Sequence, residues 1–325
     1  MKAISKDKIN KKPKDGPFGV MFHHFHLKNN QKLGQGSINK NEFEKIIIYL
    51  KKNYEILSPA EWLNKLEKKN LKKKDICITF DDALLSQYNI ALKILNKYRL
   101  KAFWFVYSSV FNGMIDDFEI HRKFRSKYFK NFNGFFKNFL SFVNISTNYK
   151  KNKNFKIFYK KMKRYYPIYT DEDIEFRFLR DHILSEDEYK NIMSRMIIAK
   201  KTSKKKLSKN LWLNNNHIKE LSKKGHNVGM HAYNHPYKLS ELDFKSQNSE
   251  LKRNFNHLKK ILKLNPISIS YPNGSFNKYT LKIIENLRLR CGFISSMKSY
   301  NKNYKKKFTL RRLDHSNILK NFLSK

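Results

Sequence analysis

Cysteine is nearly absent from this chain: Cys77 and Cys291 are the only two. A lone, distant pair offers neither a CxxC metal or redox motif nor a disulfide framework. Both lie in apolar surroundings, which suits small buried side chains. No run approaches the roughly 18 consecutive apolar residues that a membrane-crossing helix needs. Acidic residues are also scarce, with 27 Asp and Glu against 69 Lys and Arg and a net charge of +42. That imbalance raises nucleic acid or an anionic membrane surface as a partner. Lys, Asn, Ile, Phe and Tyr are inflated together, however, and spread along the whole chain. A dispersed excess reads as a solvated basic surface, and no specific nucleic-acid partner is expected. The first residues, "MKAISKDKINKKPKDG", are basic, with no apolar stretch behind them of the kind a secretory signal carries. The expected location is cytoplasmic, at most peripheral at the inner membrane face.

What is present is an alternation of strands and helices. Residues 1–15 read as a basic disordered tail. "FGVMFHHFH" (18–26) reads as a strand, followed by helices over 41–53 and 58–69, the second opened by Ser58 with Pro59 at its first position. A strand over 76–80, a helix over 84–97 and a strand over 101–109 make a βαβ unit, which predicts a parallel sheet. From 112 to 212 turn glycines almost vanish and helical periodicity dominates, so this stretch reads as a mostly helical insertion. The α/β rhythm returns with helices over 216–225, 243–262 and 278–289 and strands over 227–232, 266–272 and 291–296. The domain reading is therefore 16–111 and 213–325 as the two parts of one βα barrel, in which chemistry belongs at the C-terminal strand ends.

Three strand ends carry polar residues suited to chemistry. The apolar run Ile76–Ile78–Phe80 stops at two adjacent carboxylates, Asp81 and Asp82. Two like charges at the end of a buried strand are costly unless something positive offsets them. "MHAYNHP" places His231 and His235 four apart, able to face the same way on one turn. Two imidazoles and one carboxylate form an open divalent-metal site, and a second carboxylate left free could take a proton from water, the arrangement for metal-assisted hydrolysis. In "SYPNGSFN", Pro272 and Gly274 build a tight turn that can aim backbone N–H groups into a pocket. Alone, an HxxxH pair is usually two surface or capping histidines, and a DD at a strand end is usually a helix N-cap. All three in order, each at a strand end, are far more specific.

"TFDD", "HAYNHP" and "YPNGS" resemble the first three motifs of the polysaccharide deacetylase family, carbohydrate esterase family 4. The resemblance covers about 16–111 and 213–325 and implies an α/β fold, a distorted (β/α) barrel of seven or eight strands. It implies that Asp81 is the general base and that Asp82, His231 and His235 hold one divalent ion, usually zinc, with cobalt or nickel as alternatives. It places Tyr271 and Asn273 against the substrate, a backbone N–H near Asn273 helping to hold the oxyanion. The family's late acid histidine corresponds to His315. The third motif usually carries an Arg that orients the base; Ser270 stands there, so Arg311 or Arg312 is expected to substitute. Ala232 stands where the second motif usually has Ser or Thr. "MFHHFH" matches the family's first strand; by alternation His24 and His26 share one face and His23 the other, so His24 and His26 are substrate-contact candidates.

The implied activity is hydrolysis of an N-acyl group, such as acetyl, from an amino sugar in a glycan or in its nucleotide- or lipid-linked precursor, with the phosphate of such a carrier suiting the basic surface. A catalytically degenerate barrel of the same type, kept for binding a carbohydrate or an anionic partner, is the alternative.

Overall fold

The structure, a computed structural model, describes residues 15–27, 36–144, 147–165, 169–297 and 304–319. Most of the basic tail read over 1–15 lies outside them. Eight parallel strands form one sheet: β1 (Phe18–Phe22), β2 (Glu55–Ile56), β3 (Asp75–Phe80), β4 (Phe103–Val106), β5 (Asn227–Met230), β6 (Ser268–Ser270), β7 (Cys291–Phe293) and β8 (Arg312–Asp314). Their order is β7-β6-β5-β4-β3-β1-β8, and β2 pairs with the start of β3. The edges approach closure, since Leu310 N–H donates to Gly292 O and Ile294 N–H to Leu310 O, both at 2.9 Å. This is the nearly closed barrel that the strand–helix alternation predicts.

The helices in chain order are α1 (Lys40–Asn53), α2 (Pro59–Glu67), α3 (Leu85–Lys97), α4 (Asp117–Tyr128), α5 (Phe132–Leu140), α6 (Lys153–Tyr165), α7 (Asp171–Phe178), α8 (Glu186–Ala199), α9 (Lys204–Ser208), α10 (Asn215–Lys223), α11 (Phe244–Leu262), α12 (Lys278–Asn286) and α13 (His315–Ile318). Local signals fix several starts. Ser58 and Glu61 close a capping box on α2 with Pro59 in its first turn. Asp243 caps α11 and Asn277 caps α12. Among the described residues, no helix is long and apolar enough to cross a membrane.

Two compact units emerge. One comprises Met1–Phe25, Lys40–Asn112 and Leu213–Lys325 and holds the barrel; the other comprises His26–Asn39 and Gly113–Trp212. The second is built from α4 to α9 around a Phe-rich core that includes Phe124, Phe135, Phe139, Phe176, Met193 and Met196.

Every residue of β3 is buried, as expected of a parallel strand covered on both faces. Its period of two still sorts the side chains. Phe80 stacks on Phe22 and Trp104 outside the strand ring. Cys77 joins Phe103, Phe105, Cys291 and Phe293 in a second cluster, and Thr79 and Asp81 follow on the same face. Gly19 lies beside this face: a Cβ there would come within 3.1 Å of the Arg312 side chain and 3.2 Å of Thr79.

Two departures from the sequence reading bear on the site. β1 ends at Phe22, so 23–26 are not strand and alternation does not govern His23, His24 and His26. β8, three residues without a periodic signature, carries Arg312.

Candidate active site

Asp81 ends the inward-facing series of β3, its N–H donating to Phe22 O at 3.1 Å. The chain then turns sharply: Asp82 and Ala83 adopt left-handed φ values of 75° and 54°. Eleven described non-glycine residues have positive φ, and five of them, Asp82, Ala83, Ala232, His235 and Asn273, sit at the ends of β3, β5 and β6. Strain of this kind persists where the surroundings impose it, and it is concentrated here at the strand ends that carry the polar motifs.

Asp81 is 2% exposed and held on three sides. Arg312 Nη1 donates to Oδ1 at 2.7 Å and Nη2 to Oδ2 at 2.8 Å, while Ser270 Oγ donates to Oδ2 at 3.0 Å. Arg312 is itself fixed by Nε donating to Ile294 O at 2.9 Å and Nη2 donating to Ser270 Oγ at 2.7 Å. Burial alone would raise the Asp81 pKa, but the Arg312 guanidinium, helped by His231 and His23, outweighs it and holds the carboxyl below its usual range. Of the two expected arginines, Arg312 meets the carboxylate; Arg311 instead offers its carbonyl to Gly19 N–H.

One carboxylate oxygen of Asp82, Oδ1, lies 3.3 Å from His231 Nε2 and 3.4 Å from His235 Nε2. Ligands about 2.1 Å from a tetrahedral ion are separated by about 3.4 Å, the spacing that Asp82 Oδ1 has from each imidazole nitrogen, and all three donor atoms lie within 4.8 Å of one another. The donor set of one carboxylate and two imidazoles fits a divalent ion with positions left open. His231 Nδ1 lies 2.7 Å from Ser270 O, the contact that presents Nε2 inward. Burial tends to raise the Asp82 pKa, but the His231 hydrogen bond and the nearby imidazoles bring it well below its usual range. For His231, burial lowers the pKa while Asp81 and Asp82 push it up, and the rise wins. The pairing of the two histidines does not come from a helical turn. They lie on the loop after β5, their rings 4.8 Å apart, and α11 holds that loop: Glu250 accepts the N–H groups of Tyr233 and Asn234, and Asn254 accepts that of His231.

In the turn after β6, Tyr271, Gly274 and Ser275 donate their N–H groups to Phe293, Tyr271 and Pro272 carbonyls. The Tyr271 side chain is wholly buried, with its hydroxyl donating to Phe308 O at 2.9 Å and its ring stacked on Phe276. The Tyr271 side chain is thus part of the barrel wall.

His315 is 3% exposed, its ring stacked on Phe22 at 5.2 Å and its Nδ1 3.1 Å from Met21 O. That placement packs it into the barrel wall beside β1. His26 belongs to the helical unit, where its Nδ1 lies 2.9 Å from Ser37 Oγ. His24 does approach the site, a ring nitrogen lying within 4.8 Å of an Asp82 oxygen. The residue that alternation assigned to the opposite face, His23, has Nε2 3.8 Å from Asp81 Oδ2. Gln87, 1% exposed, explains it: its Nε2 donates to the carbonyls of both His23 and Asp81 and ties the two strand ends together. No sequence signal marks Gln87 for this position.

The family model described as polysaccharide deacetylase matches residues 68–121 and 193–292, the segments that supply Asp81, Asp82, His231, His235 and Ser270. Over these two segments the chain matches the polysaccharide deacetylase family. No curated protein sequence matches it. Among solved structures, the deacetylase PplD from Streptococcus pyogenes is similar at a TM-score of 0.55 and 19% identity, covering 95% of this chain and 98% of that one. IcaB from Ammonifex degensii is similar at 0.53 and 15%, covering 92% of each. A de-N-acetylase from Aggregatibacter actinomycetemcomitans is similar at 0.53 and 12%, covering 91% and 94%. At these identities the likeness establishes the fold of this deacetylase barrel. The family's usual third-motif Arg is absent from β6, and a guanidinium from β8 occupies the flank of the Asp81 carboxylate.

Proposed function

We propose that this protein hydrolyses an N-acyl group, such as acetyl, from an amino sugar in a glycan or in its nucleotide- or lipid-linked precursor. The observation that carries the reading is a clamped, ionised Asp81 beside Asp82, whose Oδ1 lies 3.3 and 3.4 Å from the Nε2 atoms of His231 and His235. Asp82, His231 and His235 would hold one divalent ion, zinc being the first choice for this donor set. When bound, the ion supplies Lewis acidity that polarises the acyl carbonyl and water.

The chain's own groups handle the protons and charge. Water adds to the acyl carbon and Asp81 takes the proton released, its carboxylate kept ionised and oriented by Arg312 and Ser270. The negative charge that develops on the carbonyl oxygen faces the Asn273 N–H. As the C–N bond breaks, the nitrogen takes up a proton, leaving a free amine and a carboxylic acid. His23, beside Asp81 and about a quarter exposed, is better placed to return that proton than the buried His315.

The reading is tested by measuring acetate or formate release from N-acyl sugars, free and linked to nucleotide or lipid, with purified protein loaded with zinc, cobalt or nickel. Release that requires the metal and vanishes on chelation is the expected result. Stoichiometric metal binding with no release from any substrate would favour the degenerate, binding-only barrel.

A further inference from the structure

The family match leaves out residues 122–192, and that stretch holds most of a polar cluster that the barrel chemistry does not use. The cluster stands on two helices of the helical unit. On α4, His121 and Arg122 come four and three residues before Arg125; Asp173 comes four before Arg177 on α7, and Arg180 three after it. At those spacings the side chains of each set share a helix face. Aromatic rings bring the two sets together. The Arg125 guanidinium lies 5.2 and 5.7 Å from the ring centres of Phe132 and Phe135, and Phe176 packs on both of those rings. The Arg180 guanidinium lies 5.7 Å from the Phe176 ring. Tyr189 of α8 adds a ring 6.2 Å from Phe176 and 5.2 Å from His121.

The cluster is short of partners. His121 and Asp173 are 4% and 3% exposed, yet His121 Nε2, Asp173 Oδ1 and Arg122 Nε are buried without a hydrogen bond among the described residues. Arg125 is largely buried, and among the described residues it has ring contacts but no hydrogen bond or ion pair. Charge is uneven too. Arg122 has Glu119 at 3.6 Å and Arg180 has Asp181 at 2.6 Å, but Asp173 is one carboxylate acting on both Arg125 and Arg177. Burial, with Arg122 and Arg177 adding to it against Tyr189 and Asp173, brings the Arg125 pKa down to about 10. Water would satisfy the open hydrogen bonds but leave the extra positive charge unanswered, which is the costly part. A bound anion answers both. It must also suit Asp173 Oδ1, an acceptor that repels a fully ionised oxyanion and takes a hydrogen bond from one that keeps a proton. Hydrogen phosphate meets these terms: its bare oxygens accept from guanidinium groups while its P–OH donates. Sulfate has the same shape and no proton.

We propose that the helical unit binds inorganic phosphate at Arg122, Arg125 and Asp173, with Arg177 beside them. The site is independent of the deacetylase reading, and acyl release plays no part in its test. The Arg122 and Arg180 side chains, 21% and 15% exposed, give it a side open to solvent. The full-length protein is titrated calorimetrically at pH 8 and constant ionic strength with inorganic phosphate, sulfate and glycerol phosphate. At that pH inorganic phosphate keeps one P–OH, whereas a phosphate ester, with a second pKa of about 6, has lost its proton. Phosphate should bind, and the other two should bind at least about tenfold more weakly, the worth of one hydrogen bond to a charged group. Arg125→Gln should abolish phosphate binding. Arg125→Lys keeps the charge without the fork and should weaken binding about tenfold. Lys160→Gln, at an exposed site on α6, controls for net charge and should bind as wild type does. Equal binding of phosphate and sulfate would mean an adventitious ion only and overturns the proposal, as does no binding of phosphate, or undiminished binding in Arg125→Gln. Tighter binding of glycerol phosphate than of phosphate would assign the cluster to an esterified ligand and also overturn it. Should Arg125→Gln fail to fold, the phosphate-to-sulfate ratio of wild type together with the loss in Arg125→Lys decides the matter.

Discussion

Arg312 and Asp81, 231 residues apart in the chain, meet as a two-pronged ion pair inside the barrel, at 2.7 and 2.8 Å. Neither is more than 2% exposed. Removing one partner of such a buried pair strands the other charge and costs about 3–5 kcal/mol. Arg312→Gln should therefore lower stability by that order in denaturant unfolding. It should also move the acid limb of the pH–rate profile upward, because Asp81 then loses the main influence that holds its pKa down and must be deprotonated to act. Arg312→Lys keeps the charge but not the fork and should fall between Gln and wild type. An unchanged acid limb in Arg312→Gln would mean that Asp81 is not the base.

Asp81 and Asp82 should fail differently when neutralised. Asp81→Asn keeps the shape and removes a proton acceptor, so bound metal should persist while turnover falls by ~10²–10⁴-fold. Asp82→Asn removes a ligand charge, so metal and turnover should fall together, with partial rescue by excess zinc or cobalt. Metal analysis beside an acyl-release assay separates them. Equal metal loss in both would show that the pair binds jointly and that the base lies elsewhere.

His226 gives a pH dependence unrelated to the active site. It is 4% exposed, its Nδ1 accepts the Ala102 N–H at 3.1 Å, and burial pushes its pKa down to about 4. A histidine depressed in the folded state contributes stability that is complete above its unfolded pKa of about 6.5 and is lost as pH falls toward 4. His226→Asn keeps an acceptor for Ala102 and removes the titration. Between pH 6.5 and 4 its stability should fall less steeply than that of wild type, by up to about 1.4 kcal/mol per pH unit. Parallel curves would show that His226 is not protonated on unfolding.

Gly292 and Tyr271 form a packing pair. A Cβ on Gly292 would stand 2.5 Å from the Tyr271 hydroxyl and 3.1 Å from Phe308 O. Gly292→Ala should cost about 1–3 kcal/mol by overpacking. Because Tyr271→Phe deletes the clashing oxygen, the double variant should be less destabilised than the sum of the two single changes. Strict additivity would refute the clash.

The sequence by itself determined what is local. Caps such as Ser58–Glu61, the buried run of β3 and the order of the three motifs follow from propensity, hydrogen-bonding valence and hydrophobic patterning over a few residues, and they suffice for a parallel α/β barrel. The candidate trio Asp82, His231 and His235 was named from the resemblance of the motifs, and the structure brings its donor atoms together. Only the tertiary structure decided the rest. It drew the orienting guanidinium from β8, a strand too short to show a period, by closing the barrel beside β1. It set the places of the late and early histidines, seating His315 against Phe22 while Gln87 ties the His23 and Asp81 strand ends together. It also turned Tyr271 into the wall. These outcomes depend on which distant side chains share a buried volume, and no periodicity along one segment encodes that.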